Sequence, residues 1–451
     1  MFTLNDIQTI FPSYKGKLDG ELTVKQIMTD SRKEQEEALF VPIIGETFNG
    51  HDFIYDAIKK GAVATLWDEE VEIPKNVPDT FCFFLVDDTM KALQKLAETY
   101  RNEVNPIVIG ITGSNGKTTT KDLVTAVLQT KYRTFATIGN FNNHIGLPLT
   151  ILQMPKQTEI LVLEMGMNHF GEIDVLTNIA RPDYAIITNI GESHIEHLGS
   201  REGIAKAKLE IKNGLKENGT LIIDGDEPLL SPQFNEKNVR TCGFGENNNV
   251  VVSNIRIERD KTIFHIGDEQ FSIPLLGKHH AKNASFVIAL ARELGLPSSS
   301  IQEGLNKLNY SKMRFEIIEG KNNVTLINDA YNASATSMKA AIDVVKQMQG
   351  YETKIAVLGN ILELGTFAET LHRSVATVIS DPIKIVYTFG DDAKLISDEV
   401  KKLQPTIVCE HFDSKQTLIN ALHDFLNENT IILFKASRGM AFEQLINELV
   451  E

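Results

Sequence analysis

The sequence is poor in cysteine and lacks a hydrophobic run long enough to cross a membrane. The three cysteines, Cys82, Cys242 and Cys409, lie far apart in a chain of 451 residues. They fit neither a disulfide framework nor a zinc site, so the sequence predicts a reducing, cytoplasmic location. The apolar run at 81–86 has only the length of a strand, and residues 1–11 lack a cationic region followed by an apolar core. We therefore expect neither a signal peptide nor stable membrane insertion.

Positive charge is also scarce. The chain has 45 lysines and arginines against 60 aspartates and glutamates, which gives a formal net charge of −15. This excess of acid argues against nonspecific nucleic-acid binding and against binding to anionic membranes. An anionic ligand must therefore be bound by a local group of cations. The length predicts roughly two to four domains with sizeable cores, and we expect a monomer.

A glycine-rich turn is the most informative stretch of the sequence. Residues 110–119 read GITGSNGKTT, follow the apolar run 107–109 and precede apolar residues at helical spacing. A turn between a strand and a helix presents backbone N–H groups and the positive end of the helix, both of which favour an anion. Lys117 can reach the outer phosphates of a nucleotide, and Thr118 can place a hydroxyl on Mg²⁺.

The spacing of the glycines departs from the strict P-loop pattern. That pattern requires glycine at position 111, where this chain has Ile111, and the glycines stand at 110, 113 and 116. The departure weakens an interpretation as a generic P-loop kinase or GTPase, but it leaves the phosphate site intact. The alternative is a glycine-rich turn that merely precedes a helix. The order of strand, turn, lysine, threonine and helix disfavours it.

The pattern of apolar runs predicts an α/β protein with three domains. A polar stretch that ends in proline, at 102–106, marks the first boundary, so we predict domains at 1–104, 105–312 and 313–451. The middle domain has unbroken apolar runs, as expected for parallel strands covered on both faces, and alternation at 250–274 that is typical of antiparallel strands. The third domain has four further runs, which predict a second, Rossmann-like sheet: they lie at 324–327, 355–358, 385–389 and 431–434.

Polar residues just after the predicted strands are candidates for chemistry, because ligands bind at the carboxyl ends of such strands. Glu164 is a candidate Mg²⁺ ligand, with a helix N-cap as the alternative. His194 follows another strand, although a single loop histidine is usually structural. Lys206 and Lys208 either point to solvent, which the residue types favour, or one of them is converted to a carbamate that can bind a metal.

These stretches together resemble the Mur ligases, the ATP-dependent amide-forming enzymes of peptidoglycan precursor assembly. The resemblance covers nearly the whole chain and is closest to the branch that joins D-alanyl-D-alanine to UDP-N-acetylmuramoyl-tripeptide. It implies a small α/β domain that binds the UDP-sugar, a central P-loop parallel-sheet ATPase domain with antiparallel decoration, and a C-terminal Rossmann-like α/β domain. The third domain would close over ATP and help to place D-alanyl-D-alanine.

The resemblance also implies roles for individual residues. The implied catalytic residues are Lys117, Lys208, His194 and Glu164. Those for ATP are Gly113, Ser114, Asn115, Gly116, Lys117, Thr118, Thr119, Asn283, Arg314 and Asp329. Those for two Mg²⁺ ions are Thr118, Glu164, His194 and Lys208, the last as a carbamylated lysine. Those for the two substrates are Ser31, Arg32, Asn140, Asn142, Asn143, Tyr331, Asn332, Ser437 and Arg438.

Five positions depart from the family pattern and leave the fine substrate geometry and the adenine contact open: His144, His280, Ala335, Asn360 and Ala436. Three alternatives also stay open. The chain could be another Mur ligase, a ligase like folylpolyglutamate synthetase, or a P-loop nucleotide switch without bond-forming chemistry. The first domain argues against the second of these. The third residue of the stem tripeptide, L-lysine or diaminopimelate, is also left open by the sequence.

Overall fold

Three sheets of four or more strands organise the protein. The structure is a computed structural model, and it describes residues 1–308 and 311–450. The three sheets have five, nine and six strands and follow one another along the chain. Residues 309 and 310 of the predicted middle domain and residue 451 of the predicted third domain lie outside the described residues.

The first unit contains a five-stranded, mainly parallel sheet. In spatial order its strands are Tyr14–Gly16, Cys82–Val86, Ala62–Asp68, Ala38–Phe40 and Gln26–Met28. Its helices are Leu4–Ile10, Ile54–Lys59 and Thr89–Val104, with a 3-10 turn at Gly50–Phe53 and a two-stranded ribbon of Phe2–Thr3 and Thr23–Val24. Trp67 is fully buried, and the rings of His51 and Phe83 pack edge-on against it. These aromatic contacts stabilise the core beyond the area that they bury.

The helix Thr89–Val104 leads into the middle unit. It begins because the Asp88 side chain accepts hydrogen bonds from the backbone N–H groups of Met90 and Lys91, at 2.8 and 3.1 Å. It ends at Asn105, which has a left-handed φ of 48°, and the next residue is a proline that cannot continue a helix. The first predicted domain boundary lies at this point.

The middle unit has the predicted parallel sheet with an antiparallel extension. In spatial order its nine strands are Glu269–Ile273, Thr262–Ile266, Val250–Ile257, Val239–Gly243, Thr220–Asp224, Tyr184–Ile187, Ile107–Thr112, Ile160–Glu164 and Thr134–Ala136. The first three pair antiparallel to one another, and all other pairs are parallel. The unbroken apolar runs form the parallel strands because helices cover both faces of the sheet.

The strand order places one edge of the middle sheet at a crevice. Ile107–Thr112 lies between Ile160–Glu164 and Tyr184–Ile187 and pairs with both in parallel. After Ile107–Thr112 the chain first adds strands on one side of it, and then adds Tyr184–Ile187 on its other side. Such a reversal of strand order opens a crevice at the carboxyl ends of the strands. The surrounding helices are Lys117–Leu128, Gly146–Gln153, Glu172–Ala180, Ile195–Leu198, Arg201–Leu209, Ile211–Gly214, Lys278–Glu293 and Ser298–Asn306, with a 3-10 helix at Pro228–Gln233.

The third unit has a six-stranded sheet that is parallel apart from its first strand. In spatial order the strands are Glu316–Glu319, Thr325–Asn328, Thr430–Lys435, Thr353–Gly359, Ile383–Phe389 and Val408–Phe412. All four predicted runs form strands. The outermost two strands were not predicted, because they are short and half-exposed, with glutamates that flank the apolar residues of Glu316–Glu319 and interrupt those of Val408–Phe412.

Helices and short 3-10 turns cover the third sheet. The α-helices are Ala335–Gln347, Ala368–Val375, Lys394–Leu403, Lys415–His423 and Glu443–Val450. The 3-10 turns are Lys321–Asn323, Gly365–Phe367, Ala376–Val378 and Arg438–Met440. Across the part of the chain that the structure describes, no helix is both long and apolar enough to cross a membrane.

Candidate active site

A cavity of about 680 Å³ lies at the carboxyl ends of the middle strands and is closed on one side by the third unit. Such a space suits a nucleotide together with part of a second substrate. Fifteen of the predicted site residues line it: Ser114, Asn115, Gly116, Lys117, Thr118, Thr119, Asn142, Asn143, Glu164, His194, Asn283, Arg314, Asp329, Tyr331 and Asn332. Tertiary folding therefore brings together residues from most of the predicted groups.

The glycine-rich turn forms the floor of the cavity. Gly116 has a φ of 80° and directly precedes the helix Lys117–Leu128, so its conformation favours glycine. A Cβ atom on Gly113 would lie 1.8 Å from Oγ1 of Thr188, which excludes any larger residue there. The turn thus holds the first N–H groups of a helix open to the cavity, as an anion site requires. Lys117 donates from Nζ to the carbonyl oxygen of Gly113 at 2.8 Å.

Two hard oxygen donors meet beside the turn. Thr118 Oγ1 donates to Oε2 of Glu164 at 2.8 Å, and Asn142 Nδ2 donates to Oε1 of the same carboxylate at 2.9 Å. Glu164 is buried, with 3% of its surface exposed. A threonine hydroxyl and a carboxylate at this separation are a donor set that fits Mg²⁺. No group of three or more histidine, cysteine or acidic side chains is arranged to hold a metal among the described residues, so phosphate oxygens and water would have to complete the shell.

The third unit reaches the glycine-rich turn through Arg314. Its guanidinium donates to Thr118 Oγ1 at 2.8 Å and lies 4.3 Å from the centre of the Tyr331 ring. A guanidinium in this position adds positive charge beside the expected positions of the nucleotide phosphates. Ser334 Oγ also donates to Oδ1 of Asn115 across the same boundary, at 3.3 Å.

Asp329 has a structural partner that the sequence did not suggest. Its Oδ2 lies 2.6 Å from Nζ of Lys435, which is buried at the end of a neighbouring strand, and its Oδ1 accepts from the backbone N–H of Phe315 at 3.1 Å. Asp329 therefore holds the segment next to Arg314 and neutralises Lys435. This pairing could not be predicted from the sequence, because 106 positions separate Lys435 from Asp329.

His194 lies at the rim of the cavity in an unusual backbone conformation. Its φ is 64°, and it directly precedes the short helix Ile195–Leu198. The ring nitrogen Nδ1 contacts the carboxylate of Glu363 from the third unit. This contact with His194 lowers the pKa of the Glu363 carboxyl below its ordinary value. Glu363 is not among the site residues predicted from the sequence.

Lys206 and Lys208 have opposite environments. Lys206 is exposed and lies 5.8 Å from the Phe170 ring, as the solvated alternative predicted. Lys208 is 2% exposed, and its side-chain amine makes no hydrogen bond or ion pair with any residue that the structure describes. The preference for a solvated side chain was therefore wrong for Lys208. Burial, and to a smaller extent the charge of Lys117, lower the pKa of Lys208 well below its ordinary value, which favours the neutral amine.

Seven predicted residues do not line this cavity in the described chain: Ser31, Arg32, Gly113, Asn140, Lys208, Ser437 and Arg438. Arg32 is exposed and pairs with Asp30 at 2.8 Å, a hydrogen bond that lowers the pKa of Asp30 to about 2. Ser437 Oγ accepts from the backbone N–H of Leu362 at 3.0 Å. Arg438 lies 3.5 Å from Glu443. Their substrate roles stay predictions.

Two histidines and a buried ion pair were not assigned roles by the sequence analysis. His279 and His280 line the cavity with ring centres 4.0 Å apart, and burial is the main cause that lowers the pKa of each, that of His279 to about 4. Lys282 contacts Asp224 at 2.9 Å, and burial raises the pKa of Asp224. Of the five departures from the family pattern, only His280 lines the cavity within the described residues. Because their pKa values are lowered, the rings of His279 and His280 are neutral near pH 7.

Asn283 packs against the glycine-rich turn. A Cβ atom on Gly116 would lie 3.0 Å from both Nδ2 and Oδ1 of Asn283. The amide therefore borders the space next to the first turn of the nucleotide-binding helix. Its predicted contact with adenine stays a prediction.

Three family models match successive parts of the chain. The "Mur ligase family, catalytic domain" covers residues 23–101, the "Mur ligase middle domain" covers 111–291, and the "Mur ligase, glutamate ligase domain" covers 313–438. The matched segments follow the three sheets of the structure.

Relatives match the chain along its whole length. The chain is 47% identical to UDP-N-acetylmuramoyl-tripeptide–D-alanyl-D-alanine ligase of Bacillus subtilis (strain 168), over 99% of this chain and 98% of the relative. Its structure is similar to MurF from Acinetobacter baumannii, with a TM-score of 0.87, 29% identity and coverage of 99% and 98%. It is also similar to MurF ligase from Thermotoga maritima in complex with ADP, with a TM-score of 0.83, 30% identity and coverage of 95% and 98%. The glycine-rich turn, the cavity between two α/β units and these full-length similarities lead to one conclusion: the chain belongs to the Mur ligase family.

Proposed function

We propose that this protein is an ATP-dependent amide ligase that joins D-alanyl-D-alanine to UDP-N-acetylmuramoyl-tripeptide and releases ADP and phosphate. The observation that carries the proposal is the hydrogen bond from Arg314 to Thr118, which brings the third unit against the phosphate-binding turn. A ligase needs this arrangement, because its reactive intermediate must be shielded from water. The full-length relatives named for this activity support the choice of substrates.

Each unit has a proposed task. Residues 1–104 bind the UDP-sugar, 105–312 bind ATP, and 313–451 close on ATP and help to place D-alanyl-D-alanine. The position of the cavity between the second and third units supports the last two assignments. We also infer a cytoplasmic location, because both ATP and a UDP-linked precursor are cytoplasmic metabolites of the proposed reaction. The expectation of a monomer stays a prediction.

The first step makes an acyl phosphate. A carboxylate oxygen of the tripeptide attacks the γ-phosphorus of ATP, and the bond between that phosphorus and the bridging oxygen of ADP breaks. Negative charge gathers on the phosphoryl oxygens as this happens. We assign its neutralisation to Lys117, the N–H groups that begin its helix and Arg314, and their common position around one cavity supports this assignment.

Two metal positions are part of the proposal. Thr118 and Glu164 would hold one Mg²⁺, and His194 together with a carbamylated Lys208 would serve a second. Bound Mg²⁺ supplies charge neutralisation and orients the phosphate. Lys208 suits carbamylation because it is buried without an ion-pair partner among the described residues, and the resulting lowered pKa favours the neutral amine that reacts with carbon dioxide, losing one proton as the carbamate forms.

The second step forms the amide. The amino group of D-alanyl-D-alanine attacks the carbonyl carbon of the acyl phosphate and loses a proton, and the resulting tetrahedral oxyanion collapses with release of phosphate. Water would compete with the amine, so the third unit must stay closed until the bond has formed. The contacts of Arg314 and Ser334 with the glycine-rich turn hold it there.

Phosphate release under omission of each substrate tests this function. With ATP and Mg²⁺ present, we expect release only when both UDP-N-acetylmuramoyl-tripeptide and D-alanyl-D-alanine are added, together with a product whose mass equals their sum minus water. Release that neither substrate changes would favour the nucleotide switch instead. Release with L-glutamate, diaminopimelate or a folate in place of these substrates would indicate another ligase of the family. Comparing tripeptides with L-lysine or diaminopimelate then identifies the third stem residue.

A further inference from the structure

The loop that carries His194 is held by the third unit at several points. Thr336 Oγ1 lies 2.8 Å from both carboxylate oxygens of Glu192, two residues before the histidine. The backbone N–H of Glu196, two residues after it, donates to the carbonyl oxygen of Glu363 at 3.3 Å. This loop therefore follows the position of the third unit rather than the middle sheet alone.

Glu363 comes from a turn with a fixed shape. It has a φ of 61°, a backbone conformation that residues other than glycine adopt only at a cost in free energy. The turn is held by two hydrogen bonds: the backbone N–H of Ile361 donates to Nε2 of His372 at 2.9 Å, and that of Leu362 donates to Oγ of Ser437 at 3.0 Å. A carboxylate on such a turn has a defined position.

The side chain of Glu363 ends at His194. Its carboxylate contacts Nδ1 of the ring, and His194 lines the cavity whereas Glu363 does not. Both residues have positive φ angles, of 64° and 61°, and they meet at the boundary between the two units. Local strain of this kind persists only where the surrounding structure maintains it, and it concentrates at functional sites.

A carboxylate at Nδ1 determines which nitrogen of the ring carries the proton. A carboxylate in this position favours the tautomer with the proton on Nδ1, which leaves the lone pair of Nε2 available to bind a metal. The same contact restricts rotation of the ring. Without it, both tautomers and several ring orientations become available to a histidine on a loop.

We propose that Glu363 is a positioning residue that orients His194 and selects its tautomer when the third unit closes. The metal-binding form of His194 is thereby coupled to closure, so the site is completed only when water is excluded. This inference rests on the metal role of His194 in the proposed function. It assigns Glu363 no direct contact with either substrate.

Direct Mn²⁺ binding tests the inference without relying on turnover. The full-length protein is saturated with a non-hydrolysable ATP analogue and UDP-N-acetylmuramoyl-tripeptide, and bound Mn²⁺ is measured by electron paramagnetic resonance. We expect Glu363→Ala to weaken the second Mn²⁺ site about 10- to 100-fold, as loss of a partner behind a metal-binding histidine does. Glu363→Gln should lose less, because its amide oxygen can still accept from Nδ1–H.

Thr336→Val is the matched control. It removes a contact from the third unit to the same loop, but it leaves the ring of His194 and its carboxylate partner in place. If Thr336→Val weakens the second Mn²⁺ site as much as Glu363→Ala does, closure alone explains the effect and the inference is wrong. An alanine variant with wild-type Mn²⁺ affinity overturns it as well.

Two further measurements separate the possible failures. In protein labelled with ¹⁵N-histidine, we expect the His194 ring to carry its proton on Nδ1 in the wild type and to show a mixture of tautomers in Glu363→Ala; the same tautomer in both overturns the inference. His194→Ala should abolish the second Mn²⁺ site. If that site survives, the metal role in the proposed function fails and the inference fails with it. If it is lost in His194→Ala but unchanged in Glu363→Ala and Glu363→Gln, the inference alone fails.

Discussion

Lys117→Ala removes a cation of the phosphate-binding turn, where charge is expected to gather during phosphoryl transfer. In the structure the ammonium donates to the carbonyl oxygen of Gly113 at 2.8 Å and borders the cavity. Burial lowers the pKa of Lys117, and Arg314 lowers it further, while Glu164 acts in the opposite direction. The protein thus holds this charge away from bulk water, where its interaction with phosphate is stronger.

The expected losses of activity and of stability differ in size. A preorganised group that stabilises developing charge contributes about 10²- to 10³-fold to the rate, or roughly 2.7–4 kcal/mol. For stability, Lys117→Ala removes a charge-assisted hydrogen bond that contributes about 1.5–3 kcal/mol. It also removes the cost of keeping a charge partly away from water, so the two terms oppose each other and the net change should be of order 1 kcal/mol.

The assay therefore measures both quantities. Acyl phosphate is trapped with hydroxylamine and ADP formation is followed, while thermal unfolding and calorimetric binding of the UDP-sugar report on the folded state. We expect loss of acyl phosphate with UDP-sugar binding retained. Lys131→Ala, which changes an exposed lysine just beyond the same helix, should behave like the wild type. Unchanged ATP-dependent turnover in Lys117→Ala would refute the role of this lysine.

Two other predictions concern buried titratable groups. Lys208→Ala should be severely slowed and partly rescued by short carboxylic acids, and full activity in that variant without dependence on carbon dioxide would rule out the carbamate. For His372, burial lowers the pKa, and its Nε2 accepts from the backbone N–H of Ile361, so the unfolded chain binds the proton more readily than the folded chain near pH 6.5. The free energy of unfolding should therefore fall as the pH falls from about 7 through 6.5, and urea titrations of His372→Gln should show a smaller fall.

Much of the architecture could be predicted because it depends on local patterns. Unbroken apolar runs predicted the central parallel strands of the second and third sheets but not Thr134–Ala136 or Val239–Gly243, and alternation at 250–274 predicted the antiparallel extension. The edge strands Glu316–Glu319 and Val408–Phe412 escaped prediction, because a strand with one solvated face and few residues has the same composition as a loop. The glycine-rich turn was identifiable because its order of strand, glycines, lysine, threonine and helix is itself the phosphate site.

The candidate site was only partly predictable, for a different reason. Residue types indicated that Lys117, Thr118, Glu164 and His194 suit phosphate and metal binding, and all four line one cavity. Residue types also favoured a solvated Lys208, which the fold instead buries. Burial depends on which elements pack above a side chain, and no local pattern reports that.

The sequence by itself determined the secondary structure of the parallel sheets, the phosphate-binding turn and the family, because each of these depends on the kind and order of neighbouring residues. Only the tertiary structure decided which distant groups meet. The contact of Arg314 with Thr118 joins residues 196 positions apart, and that of Glu363 with His194 joins two loops of different sheets. Such contacts arise when whole sheets and helices pack against one another. Their geometry is a property of the packed units, and it controls how the candidate site is closed.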